Sequence, residues 1–133
     1  MFLKIDPSSG IPIYRQIMEQ IKYSLARGAL KMGERLPSVR QLSLDLKVNP
    51  TTIVKAYSEL EHEGVLHTRR GMGTYVSEIR LKIEGAEKAE ILRGLAERLV
   101  VEAVQLGVDA ARVREILEEM IARYFTGEEI GDS

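Results

Sequence analysis

The 133-residue sequence predicts a mainly α fold with one small β-hairpin: an N-terminal winged helix-turn-helix over residues 1–78 and a C-terminal two-helix region over 79–133. Three features carry this expectation. Two short helical patterns meet at an abrupt Lys47-Val48-Asn49-Pro50 break. A glycine-rich hairpin pattern follows at once, and two longer amphipathic patterns fill the C-terminal part.

Pro12 opens the first helix, on which Ile13, Ile17, Ile21 and Leu25 recur at four-residue spacing with Tyr14 and Met18 beside them, and Gly28 ends it. That stripe is expected to pack over the next two helices and complete a three-helix core. The second helix starts at Ser38, which forms a capping box with Gln41 three positions on. Pro37 stops any helix running in from upstream. Val39, Leu42 and Leu46 make its apolar face, and Leu44 falls off that face. Asn49 is the next N-cap, and Pro50 takes the first helical position, where a missing N–H costs nothing. Ile53, Ala56, Tyr57 and Leu60 form the third apolar stripe; Thr51, Thr52, Lys55, Ser58 and Glu59 lie opposite. Gly64 suits the left-handed residue that ends a helix. Val65–Thr68 and Thr74–Ser77 are β-prone and flank Arg69-Arg70-Gly71-Met72-Gly73, whose glycines permit the positive φ angles of a tight hairpin.

In a helix-turn-helix the second helix enters the DNA major groove, and its N-terminal turns meet base edges and phosphates. Thr51, Thr52 and Lys55 hold those positions here, with hydroxyls, a methyl and an ammonium suited to phosphate, thymine and guanine. Arg35, Ser38 and Arg40 lie at the start of the preceding helix, which crosses the DNA backbone in such folds, so phosphate contacts are expected of them. Arg69 and Arg70 are expected to project near the hairpin tip, where arginine gains from the negative potential of a minor groove. Taken alone, Thr51, Thr52 and Lys55 read more readily as a solvated helix face; the hairpin that follows reverses that weighting in favour of DNA. A phosphate-cradling loop is set aside, because no helix follows the glycines. His62 and His67 stand alone and cysteine is absent, so no metal and no cofactor is expected.

With these residues in view, the chain resembles the GntR family of bacterial transcription regulators. The resemblance rests on Pro12–Ile17, Leu36–Leu42, Val48–Tyr57, Glu59–Gly64 and Arg70–Val76, an ordered set spanning residues 1–78. It implies operator contacts from Arg40, Thr51 and Thr52 and from the wing-tip pair Arg70 and Gly71. Many family members have arginine where this chain has Pro50 and Val54, so a base preference does not carry over. The Asn-Pro-x-Thr-x-x-Lys-Ala-Tyr form is similar to the YtrA subfamily, where Lys55 becomes the natural substitute reader.

Arg80 to Gly85 read as a short linker or strand tail. A helix then carries Ala89, Leu92, Leu95, Ala96, Leu99, Ala103 and Leu106. Gly107 ends it, Asp109 caps the next, and the last helix carries Val113, Ile116, Leu117, Met120, Ile121 and Tyr124. From Gly127 the chain is acidic and polar, expected to be a frayed tail. Two amphipathic helices cannot bury both apolar faces alone. A second copy solves this, through an interface of Leu92, Leu95, Leu99, Leu106, Ile116, Leu117, Met120, Ile121 and Tyr124. The alternative is that the helices fold back on their own N-terminal domain. The resemblance agrees with the dimer, since YtrA-type regulators dimerise through a short C-terminal helical region. The two helices leave little room for a private ligand pocket, and the residues identify no small-molecule effector.

Net charge is −1 at pH 7, which at first argues against nucleic acid. The halves differ: residues 1–78 hold 11 Lys and Arg against 8 Asp and Glu, net +3, whereas 79–133 hold 8 against 12, net −4. Binding then depends on local placement of cations. Zero cysteines fit a reducing cytoplasm. Neither a signal-peptide pattern nor a bilayer-length apolar run is seen, so secretion and a membrane partner are not expected. The function expected is a dimeric, sequence-specific regulator bound to a double-stranded operator of inverted-repeat form, most naturally a repressor. YtrA-type genes often neighbour ABC transporter genes, which implies a transport or envelope-stress operon. A winged-helix module for protein partners is the second reading, although such modules usually lack a basic wing tip. An enzyme is the third, lacking a nucleophile–base pair, a metal set and a phosphate loop.

Overall fold

The computed structural model describes residues 3–125 and divides into two compact units, Met1–Lys82 and Ile83–Ser133. The acidic tail from Gly127 lies outside the described residues.

The first unit holds α1 (Ile13–Ala26), α2 (Val39–Leu46), α3 (Pro50–His62), and the antiparallel strands β1 (Leu66–Arg69) and β2 (Gly73–Val76). Its core is built from the expected stripes. Ile17 and Ile21 of α1, Leu42 of α2, and Ile53, Ala56, Tyr57 and Leu60 of α3 are buried together with Leu66 and Val76 of the hairpin. Leu44 stands 67 % exposed, in keeping with its position off the apolar face of α2.

Caps set the helix boundaries. Ser38 Oγ accepts from the Gln41 N–H at 3.0 Å. Only this half of the expected capping box forms; the Gln41 side chain turns along its own helix, where Nε2 donates to Asp45 Oδ1. Asn49 Oδ1 accepts from the Thr51 N–H at 2.8 Å, with Pro50 in the first turn behind it. Between these helices the chain reverses at Lys47, whose φ of 56° makes it the one described non-glycine residue in the left-handed region. Ser43 holds that turn, taking the Val48 N–H at its carbonyl and donating its hydroxyl to the Val48 carbonyl at 2.6 Å.

Two parts of this unit carry no periodic signal. Residues 34–36 run along β2 as an extended edge after a left-handed turn at Gly33: Leu36 N–H donates to the Thr74 carbonyl, Val76 N–H to that of Glu34, and Gly33 N–H to that of Val76. The N-terminal arm lies on α1, where Gln16 and Gln20, one turn apart, imitate a neighbouring strand. Gln16 accepts from Asp6 N–H at 2.9 Å and donates to the carbonyls of Asp6 and Ile11. Gln20 exchanges the same kind of bonds with the backbone of Lys4.

Beyond β2 the sequence suggested a linker, but Ile79–Lys82 wind into a 3-10 turn. Ile79 and Arg80 pack where Gly64 has no side chain, 3.4 Å from the site of a Cβ there. Gly85 is not linker either; it is the first residue of α4 (Gly85–Leu106). In the second unit α4 is followed by α5 (Ala110–Tyr124). Gly107, at φ 73°, turns the chain, and Asp109 Oδ1 caps α5 through the Arg112 N–H at 2.9 Å. Ala103 is the one buried hydrophobic residue described in this unit.

Candidate nucleic-acid interface

Three pieces of the first unit carry the residues expected at DNA, and a short run of chain joins them. Tyr57, on α3, donates its hydroxyl to the Pro37 carbonyl at 2.7 Å, tying the middle of α3 to the entry of α2. Burial pushes the Tyr57 phenol well above its ordinary value of 10.0, because the ionised form would lose its solvent. Two residues before Pro37, Arg35 forms a bridge with Tyr75 of β2. The wing is thereby held beside the helix-turn-helix.

On α2, Ser38 and Arg40 are exposed in and just before the first turn. Ser38 Oγ is occupied as the acceptor of the cap, which leaves its O–H free in principle to donate outward. On α3, Thr51 and Lys55 are exposed and Thr52 is half-buried. Lys55 does not extend straight from the helix: its ammonium lies 4.3 Å over the ring centroid of Tyr14, on α1.

The wing differs from the expected pair of projecting arginines. Arg69 folds back along the sheet, with its guanidinium 4.3 Å over the Tyr75 ring and its Nε donating to His67 Nε2 at 3.2 Å. The His67 and Tyr75 rings, cross-strand neighbours, stack at 6.1 Å. Arg70 sits exposed in the turn beside Gly71, whose φ of 76° needs a residue without a Cβ. The turn is closed by Met72 N–H to the Arg69 carbonyl and by the Tyr75 hydroxyl to the Met72 carbonyl.

Arg35 also departs from expectation. It belongs to the wing rather than to the start of α2, because residues 34–36 pair with β2. Its guanidinium lies against Gly73, where a Cβ would come within 2.7 Å of Nε. Sequence reasoning missed this role, and missed Tyr14 and Tyr75 as supports for cations. A single bridged pair, Arg35 with Tyr75, is too short to leave an alternation, and both tyrosines read simply as packing residues.

In the second unit, Leu92, Leu95, Leu99, Leu106, Ile116 and Leu117 are exposed, and Met120, Ile121 and Tyr124 are half-buried. Val100, Val101 and Val104 are exposed as well. Leu99, Leu106 and Ile116 line one groove between the two helices, and Val100, Val104 and Leu117 line another. No helix of the described residues is long and apolar enough to cross a membrane.

Comparison with known proteins places this arrangement. The family of bacterial regulatory proteins called gntR matches residues 13–76. Over 120 residues, 90 % of this chain and 92 % of the relative, the sequence is 39 % identical to the HTH-type transcriptional repressor YtrA of Bacillus subtilis (strain 168). A Listeria monocytogenes EGD-e protein described as a transcriptional antiterminator superposes with a TM-score of 0.80 at 31 % identity, covering 96 % of this chain and 95 % of that one. The DNA-binding domain of AraR, solved in complex with operator ORX1, matches with a TM-score of 0.51 at 30 % identity, over 56 % of this chain and 93 % of that one. Fold and matches together define a winged-helix, DNA-binding transcriptional regulator without enzymatic function. The chain belongs to the gntR family and is YtrA-like.

Proposed function

We propose that this regulator is a cytoplasmic homodimeric repressor of an inverted-repeat operator, with a transport or envelope-stress operon as its target. In each protomer α3 enters the major groove with Thr51, Thr52 and Lys55. Arg35, Arg69, Arg70 and Gly71 of the wing meet the adjacent minor groove, and Ser38 and Arg40 hold a phosphate. Arg35 moves from a backbone role to a wing role in this reading because of its place beside Gly73. The domains act separately, residues 1–78 on DNA and 79–133 in dimerisation, with the 3-10 turn Ile79–Lys82 added to the first.

The observation that carries the dimer is the exposed apolar surface of α4 and α5. On α4 it runs about half-way round the helix, from Leu95 and Leu99 to Val100 and Val104, and all four stay exposed beside α5. A second copy offers the same surface under two-fold symmetry, and two-fold symmetry is what an inverted repeat presents.

Selection of bound sequences from random duplex DNA at near-physiological salt tests the reading. A two-fold symmetric motif is expected. Affinity should fall with salt by a slope of about −0.9 per phosphate neutralised, so Arg40→Ala should flatten the dimer's slope by about two, and Arg70→Ala should weaken binding as well. An asymmetric motif, or full affinity in both arginine variants, would remove the assignment.

A further inference from the structure

We infer that Val54 is a specificity-determining residue that reads the 5-methyl group of a thymine in the major groove. The inference rests on the proposal that the outer face of α3 enters that groove.

Val54 is 49 % exposed and lies outside the hydrophobic core that takes Ile53, Ala56, Tyr57 and Leu60 from the same helix. Nothing local favours it: a β-branched side chain is a poor helix former on a solvated face. It is an aliphatic group presented outward between polar ones. Thr51 lies one turn before it and Ser58 one turn after, both exposed.

The neighbours decide what this aliphatic group meets. Lys55 is drawn toward α1, its ammonium over Tyr14, which suits a phosphate beside the groove better than a base edge at its floor. Pro50, in the first turn, has neither an N–H nor a polar side chain to offer. Of the α3 side chains in the first two turns, that leaves Thr51 and Val54, with the half-buried Thr52 beside them, to face base edges, and Val54 is the one without a polar atom. A valine offers no hydrogen bond, and the apolar feature of the major groove is the thymine methyl. Against cytosine or adenine, the same side chain would cover an amino donor without accepting from it.

The test uses the full chain and the operator recovered by selection. Each thymine of a half-site is replaced in turn by deoxyuridine, which keeps every hydrogen bond and removes only the methyl. Binding is measured for wild type, Val54→Ala and Val54→Asp, with helical content and melting recorded for each. One thymine per half-site is expected to cost wild type about fourfold on loss of its methyl, from roughly 0.8 kcal/mol per buried carbon. Val54→Ala, present in both protomers, should lose that factor once per half-site on the natural operator and nothing further on an operator with deoxyuridine at the matching position of both half-sites. Val54→Asp should abolish binding by placing a carboxylate in the groove.

If Val54→Asp abolishes binding but no deoxyuridine position separates wild type from Val54→Ala, α3 is in the groove and the methyl contact is wrong. If a folded Val54→Asp binds like wild type, the underlying placement of α3 fails. Should Val54→Asp lose its helical signal, the comparison of Val54→Ala with deoxyuridine decides alone.

Discussion

Tyr57 joins core packing to the placement of a binding surface. It is 6 % exposed, and its one polar atom leaves the core to meet the Pro37 carbonyl. Tyr57→Phe should lower stability by about 1 kcal/mol at neutral pH, the usual net value of such a bond. The phenol carries a second signature. Its folded pKa is raised above the ordinary 10.0, so stability is intact below pH 10 and falls above it as the unfolded chain ionises first. Thermal melts across pH 8–11 should show that alkaline loss in wild type and a smaller one in Tyr57→Phe. Gly73 makes a comparable test on the wing. Its φ of 109° disfavours a side chain, and a Cβ would displace the Arg35 guanidinium. Gly73→Ala should cost about 1–3 kcal/mol and weaken operator binding. Gly71→Ala, also at positive φ but with open space around it, should cost stability without moving Arg35. Wild-type operator affinity in a folded Gly73→Ala would show that the Arg35 position is immaterial.

At the scale of elements, most boundaries follow from single side chains. Ser38, Asn49 and Asp109 each cap a helix through a backbone N–H, and each is visible in the sequence as a small polar residue before an apolar repeat. The four buried positions of α3 are those of its stripe, for the same reason: burial repeats with the helix period. The N-terminal arm is different. Its three ties to Gln16 depend on a glutamine that reads as one polar residue on an amphipathic helix, although it is only 8 % exposed. Gln16→Ala should strip those backbone groups of their partner, at a cost of about 1–3 kcal/mol, and free residues 3–11. Hydrogen exchange would report it as faster exchange at Asp6 while α3 stays protected. Unchanged protection of Asp6 would mean that the arm is held by Leu3 and Ile5 packing instead.

For the whole molecule, the decisive matter is apolar surface left over. The first unit closes its core; the second buries Ala103 and leaves most of its large hydrophobics wet. In the proposed dimer those residues are covered. Leu92→Asp is the cleaner probe, since Leu92 is 64 % exposed and lines neither groove between α4 and α5. It should leave a folded protomer that sediments as a monomer and binds operator at least tenfold more weakly, because one half-site is then held without its partner. Leu99→Asp should dissociate the dimer too, with some loss of α4–α5 packing. A Leu92→Asp protein that sediments as a dimer would place the interface elsewhere.

The sequence by itself determined the helices, their caps, the hairpin and the membership of the family. These depend on residue period and on chemistry within a few positions, and both survive in one dimension. Only the tertiary structure decided where the cations stand. Arg35 lies on the wing because residues 34–36 pair with β2; Arg69 lies on Tyr75 rather than at the tip; and Lys55 lies on Tyr14 rather than straight out from α3. A long flexible cation settles wherever a ring, an acceptor or an edge comes within reach. Those neighbours are assembled from distant parts of the chain, so no local pattern announces them.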